Sequence, residues 1–382
     1  MFHHKFKGFS YDKIIFVSAL AVLLIALCLS PKEIFRITNT NLVLSLSFER
    51  LIEEDGFKEI IREFEGQNRT VSVKISNGNP DIMIFDPLFR ETSCENQQIE
   101  DERTLVSGII PLFYNISLLK RAGFDRPPKD REAFLSVCRK FKQDAGAAYA
   151  KGKYPFSFSD NIFYSVLPWF YAAGLRENNG ESFNWTSRTA IETFSFLNTL
   201  NKEGLVDPAS LENSQAIILD DFLAGKSAMM IRPVSDLKRI KKTKVPEDFN
   251  ISTIPYPAEY KGKPVFNMSV LHIAVASDSI HKDQALLFVS FLEENRNKLA
   301  ALTGIIPGSV SGTVSREQLS ADKDPVLEKA RILFEAADII DDSKEFKEAE
   351  NFERVFKDEL KKMWRGAQSP SGCAAAIQKA LL

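Results

Sequence analysis

Ile14 to Ser30 (IIFVSALAVLLIALCLS) is an uncharged apolar run bounded by Lys13 on one side and Pro31-Lys32 on the other. A helix rising about 1.5 Å per residue over such a run just about spans a hydrocarbon core roughly 30 Å thick. Lys5, Lys7 and Lys13 precede it, which favours keeping residues 1–13 as a short cytoplasmic tail. Three readings compete: a retained signal anchor, a cleaved secretory signal, and a lipoprotein signal ending at Cys28. Signal-peptidase sites want small residues, and Ile25 and Leu27 stand three and one positions before Cys28. The favoured expectation is a retained anchor over 14–30, holding the bulk of the chain on the extracytoplasmic side of the cell membrane.

The remainder is too long for one hydrophobic core, since the chain has 382 residues, and two domains or lobes are expected. Its 44% apolar content excludes a wholly disordered chain. With 49 basic against 51 acidic residues it lacks the basic excess of a nucleic-acid protein, and no nucleic acid is expected as a partner. Cys28 lies in the apolar run, and Cys94, Cys138 and Cys373 form no C-x-x-C pair. They read as buried small hydrophobes and one loop thiol, with no disulfide assigned. Phe is in excess, with 30 against 8 Tyr and 3 Trp.

Beyond Asn39–Asn41, Leu42 to Leu46 reads as a buried strand. Glu49 to Phe64 comes next as a helix, with Leu51, Ile52, Phe57, Ile60, Ile61 and Phe64 at helical spacing. Val71–Ile75 alternates and Asp81–Phe85 is continuously apolar, so strand, helix, strand, strand opens an α/β sheet covered on both faces. Glu91 to Arg103 is polar and is expected to be a loop. Ile109–Asn115 is extended, Ser117–Ala122 helical, and Glu132–Phe141 an amphipathic helix. Further helices are expected at about 161–173, 187–202, 282–294, 325–340, 345–365 and 371–382, with strands near 229–232, 251–254 and 269–276.

Isolated catalytic motifs fail on inspection. Gly225-Lys226-Ser227 resembles the end of a phosphate loop, but the required glycine five positions earlier is Asp220. Gly308 to Gly312 has Val310 where a nucleophile elbow needs Ser. Four scattered histidines make no metal cluster, and His272 reads as a satisfied structural histidine in a strand. Asp341-Asp342, Asp220-Asp221 and Glu293-Glu294 read as helix ends and solvated faces. No enzyme, cofactor or metal is expected.

Several segments fall in a particular order. Residues 109–130, IIPLFYNISLLKRAGFDRPPKD, are similar to a P-x-x-Y-N stretch followed by G-x-x-x-P-P-K-T. Residues 222–230, FLAGKSAMM, are similar to F-x-x-G-x-x-A-M, and 363–377, MWRGAQSPSGCAAAI, to a closing G-x-x-S-P-E-E-A-L helix pair. PWFYAAG, TIPYP, HIAVAS and IIPGS lie between them in order. Over roughly residues 40–382 the chain resembles the extracellular solute-binding proteins of ABC transporters, the sugar-type group that includes maltose-binding protein.

That resemblance implies an α/β, two-lobed periplasmic-binding-protein-like fold of type II with hinge crossings, attached to the one transmembrane helix. Residues 40–117 with 266–312 would make a trimmed first lobe, and 118–262 with 316–382 the second. It also implies capture of a small polar, carbohydrate-like solute by hinge closure, with ABC permease subunits as partners. A binding module turned sensor or interaction protein is the alternative.

Ligands in open α/β sheets bind beyond the carboxyl ends of strands. That rule nominates Ser47, Glu49 and Arg50 after the first strand, and Asp86 and Arg90 after the third. It also nominates Arg232 and Ser235 after the 229–231 strand, with Asn267 before the 269–276 strand. Tyr164 joins them on a helix whose N–H groups, around Asp160 and Asn161, are expected to face the cleft. The chain departs from the sugar-type pattern at several points. Ser235 falls where a Trp is usual, Glu353 or Arg354 replaces a late-helix aromatic, and Asn267-Met268 replaces a Gly pair. Trp169 reads as core.

Overall fold

The computed structural model describes residues 39–46, 54–76, 79–89, 98–149, 152–176, 183–237, 240, 248–296, 298–299, 306–307, 325–342, 346 and 349–381. Among them the strands are β1 (Thr40–Leu46), β2 (Val71–Ile75), β3 (Ile82–Phe85), β4 (Ile99–Ile109), β5 (Leu112–Asn115), β6 (Met229–Ile231), β7 (Phe249–Ser252), β8 (Val265–Ala276), β9 (Ile306–Pro307) and β10 (Asp338–Ile340). The helices are α1 (Glu54–Gln67), α2 (Ile116–Arg121), α3 (Arg131–Tyr149), α4 (Ile162–Ser165), α5 (Leu167–Ala172), α6 (Arg188–Lys202), α7 (Gln215–Leu223), α8 (Lys282–Glu294), α9 (Pro325–Ala336), α10 (Ala349–Trp364) and α11 (Pro370–Ala380).

The larger sheet has the order β2-β1-β3-β8-β4-β9, with β10 joining β8 at its start. β1 pairs in parallel with β2 and β3, which forces a crossover, and α1 supplies it. Phe57, Ile60, Ile61 and Phe64 recur at the spacing of one helical face and are buried against Leu42, Leu44, Val71 and Val73. α8 covers the same core with Phe288, Val289 and Leu292, and the Phe64 and Phe288 rings meet edge-on at 4.9 Å. β8 runs antiparallel between β3 and β4, so its central residues are enclosed by strands on both sides.

Asp81 ties this first core together. Its carboxylate accepts from the backbone N–H of Val43 at 2.8 Å and from the Ser279 hydroxyl at 2.6 Å. Removing it strands a partly buried backbone donor. Asp81→Ala is expected to cost about 1–3 kcal/mol in urea unfolding. A change near zero would show that the bonds carry no net stability.

The second sheet is small, ordered β6-β5-β7, and antiparallel. One face carries the phenylalanine-rich core. Trp169, fully buried on α5, packs edge-on against Phe134 at 4.9 Å and Phe156 at 5.8 Å, and lies 5.1 Å from Phe196. Phe356 of α10 meets Phe170, Trp185 and Phe194 at 5.2–5.7 Å. The excess of Phe thus has a place: aromatic rings from α3, α5, α6 and α10 interlock around one centre. The opposite face of the sheet is covered by α7 and α9 through Ile218, Phe222, Val326 and Ala330.

Three chain segments run side by side where the sheets meet. The first crosses at Ile110-Pro111, between β4 and β5. Ile110 N–H donates to the Asn267 carbonyl of β8, and the Pro111 carbonyl accepts from Arg232 N–H. β10 lies parallel to the start of β8, Asp338 opposite Val265.

Local chemistry explains several boundaries. Gly225 adopts φ +66° beyond α7, and Gly366 φ +76° beyond α10, left-handed positions where a Cβ is disfavoured. Ser369 accepts from Gly372 N–H and Pro370 opens α11. Some expectations are corrected. β4 begins at Ile99, inside the polar stretch expected to be a loop, because it gains β8 as a partner. The helix expected to run to residue 340 stops at Ala336, and Asp338–Ile340 pairs with β8 instead. The helix expected over 161–173 is two short helices meeting at Val166. Asn115, at the end of the extended stretch, serves as the cap of α2, as its side chain accepts from Leu118 N–H at 2.8 Å.

The 14–30 run, its anchor role, Cys28 and Cys94 lie outside the described residues. Among the described residues no helix is long and apolar enough to cross a membrane. Cys138 and Cys373 are buried free thiols, and burial pushes the Cys373 thiol up to about 12.

Candidate functional site

Asp86 leaves the carboxyl end of β3, and it is 1% exposed. One carboxylate oxygen accepts from Leu88 N–H at 2.9 Å, and the other accepts from the Tyr164 hydroxyl. Tyr164 belongs to α4 and to the phenylalanine-rich core, so this bond joins the end of the larger sheet to the other core. Burial pushes the Asp86 carboxyl up to about 6, against the lowering pull of the Tyr164 hydroxyl, Leu88 N–H and His272. Tyr164 is pushed well above the ordinary phenol value by burial and by the Asp86 charge; Ser269 also hydrogen-bonds it.

Asn267 stands on the same side of the crossing. Its amide donates to the Phe163 carbonyl at 2.6 Å and to Asp342 at 3.0 Å. Asp342 also accepts from the Tyr171 hydroxyl at 2.5 Å and is 1% exposed. Burial pushes its carboxyl up to about 7, and the nearby charges of Asp341 and Asp86 add to the rise. Asp86, Tyr164, Asn267, Asp342 and Tyr171 therefore make one buried polar patch between the two cores.

Arg232 and Ser235 form a separate feature beyond β6. Arg232 Nε donates to Asp236 at 2.5 Å, with both side chains buried. Three of the nominated residues carry a buried polar atom with no hydrogen-bond partner among the described residues: Arg232 Nη1, Ser235 Oγ and Asn267 Oδ1. Buried polar atoms are rarely left in this condition, because each forfeits the hydration it would have in water. Ser47, Glu49, Arg50 and Arg90 lie outside the described residues.

One expectation about the ligand-facing helix is corrected. The N–H groups at the start of α4 are already taken: Ile162 N–H donates to Glu353 at 2.9 Å and Tyr164 N–H to Asn161 at 3.0 Å. Glu353, at the position noted for its missing aromatic, thus caps this helix from α10. Asp342 and Tyr171 are additions to the nominated set. The strand that delivers Asp342 continues a helical pattern in sequence, and Tyr171 sits in a segment whose residues signal only core.

Among its described residues the patch holds no nucleophile paired with a base; its acids are matched with phenols and an amide. His272 is satisfied by Glu102 at 2.7 Å and Thr104 at 3.3 Å. Among the described residues no cluster of three metal-ligating side chains occurs. A cavity of about 210 Å³ lined by Leu118, Arg121, Phe141 and Lys153 shares no residue with the patch.

The family model for bacterial extracellular solute-binding proteins matches residues 65–299, well over half of the chain. No curated protein matches the sequence. Among solved structures, the chain is similar to the GacH receptor of Streptomyces glaucescens, crystallised with and without acarbose. Identity is 14% and TM-score 0.75, over 90% of this chain and 97% of that one. A Thermotoga lettingae ABC-transporter solute-binding protein bound to α-D-tagatose aligns at 16% identity and TM-score 0.71, covering 90% of this chain and all of the other. UgpB of Mycobacterium tuberculosis, in complex with glycerophosphocholine, aligns at 16% identity and TM-score 0.70, over 88% and 96% of the two chains. These likenesses give a two-lobed α/β periplasmic-binding-protein-like fold.

Proposed function

Because the chain belongs to the bacterial extracellular solute-binding proteins, we propose that it captures a small polar, carbohydrate-like solute outside the cytoplasm and hands it to ABC permease subunits. Binding is the whole of its chemistry: no bond is made or broken. Residues 40–117 with 266–312 form one jaw in this proposal, and 118–262 with 316–382 the other. The 14–30 run tethers them to the membrane. Hinge closure comes from the solute's greater affinity for the shut state.

The observation that supports this reading most directly is the Asp86–Tyr164 bond. Two residues nominated for a cleft, one from each side, converge at the boundary between the cores. Arg232 Nη1 and Ser235 Oγ add donors without partners among the described residues, suited to a solute's oxygens, and Asn267 Oδ1 adds an acceptor suited to a solute hydroxyl. Ser47, Glu49 and Arg50, next in sequence after β1, complete the proposed set.

The test is a thermal-shift screen of the full chain in detergent against sugars, polyols, glycerophosphodiesters and anions. A true ligand at about 100 times its dissociation constant adds roughly 2.7 kcal/mol, and Asp86→Ala or Arg232→Ala should abolish that gain. A chain that responds to none of these classes would overturn solute capture. It would favour a second reading, a binding module that signals to a protein partner. That reading draws on the mutual bonding of Asp86, Tyr164, Asn267 and Asp342, groups otherwise available to a solute.

A further inference from the structure

The polar patch between the cores is built from two carboxyl groups whose best partners are neutral donors. Asp86 meets the Tyr164 hydroxyl and Leu88 N–H; Asp342 meets the Tyr171 hydroxyl and the Asn267 amide. Among the described residues no Lys or Arg bonds either carboxyl. The charged or titratable groups facing them are His272, Asp341 and each other, together with the two phenols. His272 is engaged by Glu102, which sets a second carboxylate against it. Two acids, each 1% exposed, with so little cationic compensation, are poorly suited to be ionised together.

We propose that the two halves shut directly on each other, through the Asp86–Tyr164 bridge backed by Asp342, Tyr171 and Asn267, and that shutting takes up protons at the two carboxyls. The inference rests on the hinged, solute-capturing reading and adds its regulation. In the open arrangement Asp86 regains water and behaves as an ordinary carboxylic acid. In the shut arrangement it holds a proton more tightly, and Asp342 moves the same way because closure buries it, the nearby charges of Asp341 and Asp86 adding a smaller push. The shut state therefore binds more protons across mildly acidic pH, and acidification drives closure.

Distances between spin labels on the two halves test the latch without any solute. Labels at Arg62→Cys on α1 and Lys202→Cys on α6, both exposed positions, report the separation in the full chain. Cys28 and Cys94 are replaced by Ser in this background. The ratio of short to long distances should rise about tenfold or more from pH 8 to pH 5.5. Asp86→Asn with Asp342→Asn, neutral and isosteric, should lock the short distance at both pH values. Tyr164→Phe, which keeps the ring in its core and removes the hydroxyl, should lengthen the distance at pH 5.5. A wild-type distribution independent of pH, or a pH response that survives the double Asn variant, overturns the proposal. Either failure leaves solute capture standing, since capture is judged at fixed pH by ligand-dependent melting.

Discussion

Trp169→Ala should lower unfolding stability by about 3–5 kcal/mol, the largest single-residue loss expected for this chain. The indole is wholly buried, and rings of Phe134, Phe156, Phe158 and Phe196 surround it within 6.5 Å. Its carbonyl also accepts from Arg131, a buried guanidinium with no carboxylate bonded to it among the described residues, so displacement of α5 would leave that charge in an apolar surround. Truncation removes area and leaves a hole that interlocked aromatic rings cannot collapse into. Ile280→Ala is the natural comparison, because Ile280 is 88% exposed and should change stability by less than about 0.5 kcal/mol. Urea unfolding followed by circular dichroism measures both. A Trp169→Ala loss below about 1 kcal/mol would mean that the second core is not organised around this ring.

Stability is also expected to fall as pH rises from about 4 to about 7, the reverse of ordinary acid denaturation. Asp86 and Asp342 bind protons more tightly in the folded chain than in the unfolded one, at about 6 and about 7 against an ordinary value near 4. The folded state therefore holds more protons through that interval, and the slope of stability with pH is negative. Above both values each carboxylate is ionised in either state, and the benefit is gone. The combined effect amounts to a few kcal/mol, given that one pKa unit corresponds to about 1.4 kcal/mol. Melting temperature at pH 5 should exceed that at pH 8. The Asp86→Asn, Asp342→Asn double variant should flatten the curve and melt higher than wild type at pH 8. Equal slopes in the two proteins would show that these carboxyls do not carry the effect.

Much of the architecture is legible in the residues because it comes from periodicity. Phe57, Ile60, Ile61 and Phe64 announce α1, and the strands at 71–75 and 82–85 need nothing beyond their own side chains. The helix expected over 187–202 is found at Arg188–Lys202, capped by Ser187, whereas the helix at Gln215–Leu223, capped by Ser214, is not among those expected from the sequence. Pairing over long distance is the part that escapes a local reading. Ile99–Arg103 is polar and looks like a loop, yet it becomes strand because β8 runs beside it. Asp338–Ile340 continues a helical pattern but is drawn into strand by Val265–Asn267. The site divides in the same way. Asp86 is recoverable from the strand end it follows and Tyr164 from its short helix, while Asn267, expected just before a strand, lies inside β8; Asp342 and Tyr171 depend on that hidden strand and on a contact between distant segments. The capping of α4 by Glu353 spans 191 positions, and no local pattern announces it.

The position of β8 bears on how the chain comes into being. Thr104 lies opposite His272, 168 residues further along, and the third strand also waits for the same late partner. During synthesis the early part of the larger sheet therefore emerges with β3 and β4 lacking the strand that separates them, their edges bare. Contacts closed over such separations form slowly. A newly exported chain should accordingly depend on protection from aggregation until its last third has arrived, and truncations that end before residue 265 should accumulate as insoluble material, not as a half-protein.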